Sequence, residues 1–317
     1  MNKLLTIGIP VFEEADGLSK TITSIENLTE FRAGIIKVVI WDNHSQDDSE
    51  KVALKFAARH PDRVLVGHNS TNVGAVGNII QVLKNSNSKF VWILGAGEEL
   101  INLTLKPLLD FLDEPRNSDV VMGTVKADSG PGSKWGASPE WNIKRVEPET
   151  DSCFVETISL SIVDRKLALK VLEVNHDLKR SMNYVWPHLE VALSATSAPT
   201  FKVDYPALVN VSGNQTGWWY HGPKALDYYL NQVMLLKNHP RPVEWVTIRL
   251  RDRTGWHFAK FAFEIKLEGA GLRARSSISA FRAGIGAGPT LTALAIALIP
   301  KPLLRIAQTI FRKAQKR

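Results

Sequence analysis

An α/β fold with a mostly parallel central sheet is what this 317-residue sequence predicts. Three observations predict it. Strand-like runs alternate with helical patterns through the first hundred residues, at the spacing of βαβ units. The second run, Lys37-Val38-Val39-Ile40, ends in the acidic and amide-rich stretch Trp41-Asp42-Asn43-His44-Ser45-Gln46-Asp47-Asp48. Open α/β sheets bind their ligands at the carboxyl ends of such strands. Finally, the chain changes character at its end, where basic residues and helical apolar patterning take over as a helical basic C-terminal extension.

The elements follow in order. Strand-like runs lie at Leu5–Ile9, Lys37–Trp41, Val64–Gly67 and Phe90–Leu94, each rich in β-branched residues. Helical periodicity lies between them, at Gly17–Leu28, Ser49–Arg59 and Gly74–Asn85. Right-handed crossovers put the loop after each strand on one edge. Val120–Val125 reads as a further strand, and residues 126–150, rich in Gly, Pro, Ser and charge, as a long loop. Phe154–Ser161 and Thr200–Tyr205 read as strands; Asp164–Glu173, His188–Ser197 and Leu226–Asn238 read as helices. Three regions are expected: 1–118, a ligand-binding half; 119–236, a second half; and 237–317, the basic tail.

Composition bounds the chemistry. The chain is long enough for a sizeable core, and 44% hydrophobic with 22% charged residues is ordinary for a globular protein. The lone Cys153 excludes a disulfide framework and a cysteine-based zinc site. The first residues enter a strand pattern with no charged-then-apolar leader, so the expected location is the cytoplasm. From Lys237 to Arg317 there are 16 Lys/Arg against 4 Asp/Glu, a net +12, while residues 1–236 carry 23 against 28, a net −5. A tail of that charge meets something anionic. Ile285–Ile299 is apolar but short of the about 20 residues a bilayer span needs. Leu303–Arg317 sets Leu303, Leu304, Ile306, Ala307, Ile310, Phe311 and Ala314 on one helical face, with Arg305, Arg312, Lys313, Lys316 and Arg317 elsewhere. That pattern fits a helix lying in the interface of an anionic membrane, here the inner face of the cell membrane. A core helix with a solvated basic face is the alternative. No aromatic and basic interleaving of the nucleic-acid-binding kind is present.

Two segments in order carry a family resemblance. Leu5-Thr6-Ile7-Gly8-Ile9-Pro10-Val11-Phe12-Glu13-Glu14, followed by the Asp42–Asp48 turn, resembles the opening of family 2 glycosyltransferases of the GT-A fold. The resemblance covers about residues 4–210 and is strongest over 4–100. It implies that Pro10, Val11, Phe12 and Glu13 border a nucleotide-sugar, with Phe12 against the base. Glu13 stands where many relatives have Asn. Asp42 matches the aspartate that accepts a hydrogen from the base, which selects a pyrimidine; Asn43 and Ser45 complete the turn. Without a ligand, Asp42 and Ser45 read as an ordinary turn and helix cap. Asn72-Val73-Gly74-Ala75-Val76-Gly77-Asn78 is similar to a further family segment. There Asn72, Gly74 and Asn78 fall on the donor side, but the family's Arg is replaced by Gly77.

The fourth strand ends Leu94-Gly95-Ala96-Gly97-Glu98-Glu99, where relatives carry L-D-A-D-D. Gly95, Ala96 and Gly97 thus line the donor without the two aspartates that hold Mn²⁺ or Mg²⁺, and Glu98 is the one candidate metal ligand. The resemblance also implies a catalytic base that takes the proton of the acceptor hydroxyl. Counting back from Pro206 puts it at His188, a competent base near neutral pH; Glu190 is the second candidate. His188 as a surface side chain at a helix start is the alternative. Glu156 and Thr157 fall on the acceptor strand. The implied activity is transfer of a sugar, expected from a UDP-sugar and with inversion, to a saccharide or polyprenyl-linked acceptor in surface polysaccharide assembly. Two aspartates being absent, a non-catalytic nucleotide- or sugar-binding scaffold is the other expectation.

Overall fold

The computed structural model describes residues 4–101, 104–128, 141–146, 158–174, 190–191, 194, 198–210, 287–300 and 302–304. The chain divides into two compact units, Met1–Asn214 and Gln215–Arg317.

The first unit is an α/β sandwich. Its sheet begins with β1 (Leu5–Val11), β2 (Lys37–Asp42), β3 (Val64–His68) and β4 (Phe90–Ile93), joined as the parallel ribbon β3-β2-β1-β4. Between them run α1 (Ala15–Glu26), the short α2 (Thr29–Arg32), α3 (Ser49–Arg59) and α4 (Gly74–Asn85). The sheet continues through β5 (Glu99–Leu100), β6 (Met122–Asp128), β7 (Asn142–Val146), β8 (Ser161–Asp164) and β9 (Thr200–Asn210). The full order is β3-β2-β1-β4-β8-β6-β9-β5, with β7 on β9. The β8, β5 and β7 strands run against the rest. The helices α5 (Lys106–Asp113) and α6 (Arg165–Glu173) follow β5 and β8.

The sheet is covered on both faces. Leu5, Ile7 and Ile9 of β1 belong to one apolar cluster with Leu18, Ile22, Ile25, Ala53 and Phe56 of α1 and α3. A second cluster gathers Val39, Val91 and Ile93 with Ile79, Val82 and Leu83 of α4 and with Ala168 and Leu172 of α6. Burial on both faces explains why β1, β2 and β4 read as near-continuous apolar runs. The covering helix needs room at β1: a side chain at Gly8 would overlap Val82 of α4. The Phe90 N–H donates to the Leu4 carbonyl and the Leu94 N–H to the Gly8 carbonyl, so β4 ends beside Gly8 while β1 continues to Val11.

Three expectations are corrected. The segment 126–150 is not all loop: β6 runs on to Asp128, and β7 pairs antiparallel with β9. A strand needs its partner, and β9 is contributed from about 60 residues downstream, beyond the reach of local pattern. Of the strand expected at Phe154–Ser161, residues 154–157 lie outside the described residues, and of the described ones Ser161 alone falls in a strand. Ile158–Leu160 is a 3₁₀ turn, and β8 runs Ser161–Asp164, where it meets β4 and β6. The strand at Thr200–Tyr205 extends through Pro206 to Asn210, with register shifts opposite Thr124–Ala127 that admit the proline. The helix of Asp164–Glu173 forms, with the Asp164 carboxylate accepting from the Leu167 N–H as its cap.

In the second unit, α7 (Ala287–Leu298) is apolar, with Leu291 and Leu298 exposed, as is Leu303 beyond it. Among the described residues no helix is long and apolar enough to cross a membrane.

Candidate functional site

The carboxyl ends of β2, β1 and β4 lie side by side, with Val11 beside Asp42 and Gly8 beside Ile93. The loops that follow them therefore share one rim of the sheet. Asp42 and the Gly95–Glu98 segment stand on that same rim.

The first two loops are stitched together by side chains. The Asp42 carboxylate is 2% exposed and accepts from the Ser45 hydroxyl at 2.6 Å and the Ser45 N–H at 2.9 Å. The Ser45 oxygen in turn accepts from the Glu13 N–H at 2.9 Å. Ser49 Oγ accepts from the Glu14 N–H at 3.0 Å, and Asp47 Oδ2 from the Ala15 N–H at 3.0 Å. Three successive amides after β1 are thus held by the turn after β2. Burial alone would raise the Asp47 carboxyl, but hydrogen bonds from Ser49 and Ala15 outweigh it and hold it below its ordinary range. The turn is tight enough to place Glu13 and His44 at positive φ, 50° and 67°. What this joint leaves in solvent is Phe12, 44% exposed, with Glu13 and Glu14 beside it.

The second stitch is made of amides. Asn43, 3% exposed, donates to Asn72 Oδ1 and accepts from the Val73 N–H and from Asn69. Asn69 also bonds Asn78 and accepts from the Trp41 indole N–H. Asn78, 2% exposed, donates to the carbonyls of Val11 and Trp41. This network fastens the start of α4 to the ends of β1 and β2. Asn43 and Asn78, both expected at the donor, lie within the wall, whereas Asn72 reaches the exposed side. Gly74 opens α4 at φ 80°, with open space where a side chain would stand.

The loop after β4 is fixed differently. The Gly95 N–H donates to Ser159 Oγ at 2.8 Å, and the Gly97 N–H to Thr21 Oγ1 at 2.9 Å. Thr21 Oγ1 donates to the Glu98 carbonyl at 2.8 Å. Gly97 sits at φ 95°, and a Cβ on Gly17 would come within 2.9 Å of its Cα. Glu98 is 2% exposed. A divalent ion beside a diphosphate takes one or two accessible protein carboxylates along with phosphate and water oxygens. Gly95 and Gly97 supply none from side chains, and Glu98 is buried. Among the described residues no three His, Cys, Asp or Glu side chains converge. These residues do not fit a cation site.

Glu190 is half-buried and, like Val191, helical. His188, Glu156 and Thr157 lie outside the described residues. The residues that position the rim, Thr21, Ser49, Asn69 and Ser159, carry no motif. Only Ser49, two residues after Asp47 at a helix start, has the look of a cap.

The family model for glycosyl transferase family 2 matches residues 6–172, just over half of the chain. A curated relative is the abequosyltransferase RfbV of Salmonella typhimurium, 26% identical over 110 residues, which are 35% of this chain and 33% of that one. The match thus spans about a third of the relative's length. Among solved structures, S. aureus TarS residues 1–349 in complex with UDP aligns at a TM-score of 0.57 and 12% identity, covering 93% of this chain and 90% of that one. The mannosyltransferase PcManGT of Pyrobaculum calidifontis, in complex with GDP-Man and Mn²⁺, aligns at a TM-score of 0.53 and 14% identity, covering 96% and 83%. At these identities the structural likeness establishes the GT-A fold.

Proposed function

The chain belongs to glycosyl transferase family 2, and on that premise we propose that it moves a sugar from a nucleoside-diphosphate donor to a hydroxyl of a saccharide or lipid-linked acceptor. The observation that carries the reading is the shared rim of β1, β2 and β4, where an exposed aromatic stands on a braced turn. The base stacks on Phe12, and the buried Asp42 braces the turn beneath it through Ser45. Pro10, Val11 and Glu13 border the ribose. Asn72 and Gly74, at the opening of α4, lie toward the diphosphate, where backbone N–H groups carry partial positive charge. His188, or Glu190 as the second candidate, takes the acceptor proton as the anomeric carbon is attacked. Glu156 and Thr157 line the acceptor. The structural neighbours described with UDP and with GDP-Man support a nucleotide-linked sugar as the substrate class. A UDP-sugar is the donor we favour.

The test is nucleotide binding and turnover. UDP binds the intact chain, and Phe12→Ala weakens it about tenfold, the effect of one lost stacking contact. Because Phe12 is exposed, the variant keeps the fold. Unchanged affinity in Phe12→Ala sinks the placement at this rim. Gly95 and Gly97 in place of acidic residues favour one second reading, a scaffold that binds a nucleotide or sugar without transfer. Release of UDP from a UDP-sugar separates the two: binding with no release under any acceptor supports the scaffold.

The tail adds a location. Residues 237–317, net +12, with Leu291, Leu298 and Leu303 exposed, support docking on the anionic cytoplasmic face of the cell membrane.

A further inference from the structure

We propose that this chain binds its nucleotide donor without a divalent cation, because the loop that would hold the ion is instead a packed joint against α1. The inference deepens the nucleotide-sugar reading and rests on it.

The argument is geometric. At position 97 the backbone has φ 95°, a conformation that strains any side chain with a Cβ. Its N–H is bound to Thr21 Oγ1, and the same hydroxyl donates to the next carbonyl, Glu98. Its Cα lies so close to α1 that a Cβ on Gly17 would reach it at 2.9 Å. Two glycines meet there, one on each element, and each lets the other approach. Position 95 is similarly enclosed. Its N–H is tied to Ser159 Oγ, and a side chain would begin 3.2 Å from that oxygen and 3.4 Å from the Glu98 carboxyl carbon. An aspartate at 95 would therefore start between a hydroxyl and a buried carboxylate. Glu98 itself is buried to 2% exposure within the joint.

One carboxylate does approach from outside. Glu14 Oε1 is 3.7 Å from the point where a Cβ on Gly97 would stand, and Glu14 is exposed on the turn after β1. An exposed Glu14 would be the lone protein carboxylate there, leaving the diphosphate and water to supply every other oxygen of Mg²⁺ or Mn²⁺, a weak hold from the protein. The joint therefore has the contacts of a structural element: two small residues in apposition, two backbone N–H groups capped by hydroxyls, and a buried acid.

The experiment is titration calorimetry of the full-length protein with UDP, CDP and GDP, in EDTA and again in MnCl₂. The expected result is that the tightest-binding nucleotide has the same Kd in both, within about threefold, a difference of ~0.6 kcal/mol. Tightening of more than about threefold by Mn²⁺ overturns the proposal. Binding of no nucleotide in either buffer overturns the nucleotide-sugar reading, and this inference with it. Cation dependence thus removes only the inference and leaves the donor reading in place.

Discussion

Asp119 and Arg145 show how a single pair ties distant segments. Arg145 on β7 forks onto both Asp119 oxygens, at 2.6 and 2.8 Å, and also reaches the Arg116 carbonyl. The guanidinium holds the Asp119 carboxyl down to about 2 from its ordinary 3.8. A depressed carboxyl favours the folded state above its unfolded pKa, so this contribution is complete above pH 3.8 and fades as pH falls toward about 2. Arg145→Gln returns the Asp119 titration toward 3.8, read from its side-chain carbon shift by NMR; an unmoved titration would deny the pairing. At this scale the sequence was readable only in part. Phe12, Asp42 and Ser45 were singled out from their place after strands, and the rim holds them. The roles of Asn43 and Asn78 were not readable, because a buried amide and a ligand-binding amide look alike in sequence. What separates them is Asn69, whose side chain bonds both from 9 and 26 residues away.

Elements were predicted where one sequence pattern suffices and misread where a partner decides. The parallel ribbon β3-β2-β1-β4 and its helices α1, α3 and α4 fall where the periodicity puts them, since β1, β2 and β4 are buried on both faces and each helix on one, while β3 is an exposed edge. The α5 helix and the two-residue β5 had no such pattern. Part of what starts α5 comes from far away: the buried Glu30 carboxylate accepts from the Thr104 hydroxyl and the Leu105 N–H, 74 and 75 residues on. The pairing of β6 with β9 depends on another non-local fit. Gly123 leaves a gap in β6 that the ring of Phe201 fills, and Phe201 also packs, tilted, against the ring of Phe111 of α5 at 5.5 Å. Gly123→Ala forces that ring aside and costs about 3 kcal/mol, the upper end of overpacking. Urea denaturation measures it. Adding Phe201→Leu to Gly123→Ala recovers part of the loss, because the two changes share one space; strictly additive losses would contradict the packing described.

The whole molecule carries its charge unevenly, a division legible in the sequence alone: −5 over residues 1–236, +12 over the rest. For the tail this predicts flotation of the full chain with vesicles containing phosphatidylserine, loss of flotation at high salt, and none with neutral vesicles. Reversing Arg312, Lys313 and Lys316 to Glu lowers anionic-vesicle binding by about 1 kcal/mol per residue or more, ample to abolish weak binding. Flotation equal to that of the unaltered chain would refute the electrostatic part. The first unit, by contrast, follows from its family: residues 6–172 carry the match, and the fold is shared with solved structures of very low identity.

The clamp of Ser45, Ser49 and Asp47 on the amides of Glu13, Glu14 and Ala15 has one more consequence. Each bond is a match between a position in one turn and a position in another, like teeth of two meshed gears. Letters here tolerate exchange, Ser for Thr or Asp for Asn, because the oxygen survives. Length does not: a single residue gained or lost between Asp42 and Ser49 moves later teeth out of mesh. Descendants of this sequence should therefore vary in spelling across that stretch and stay constant in count.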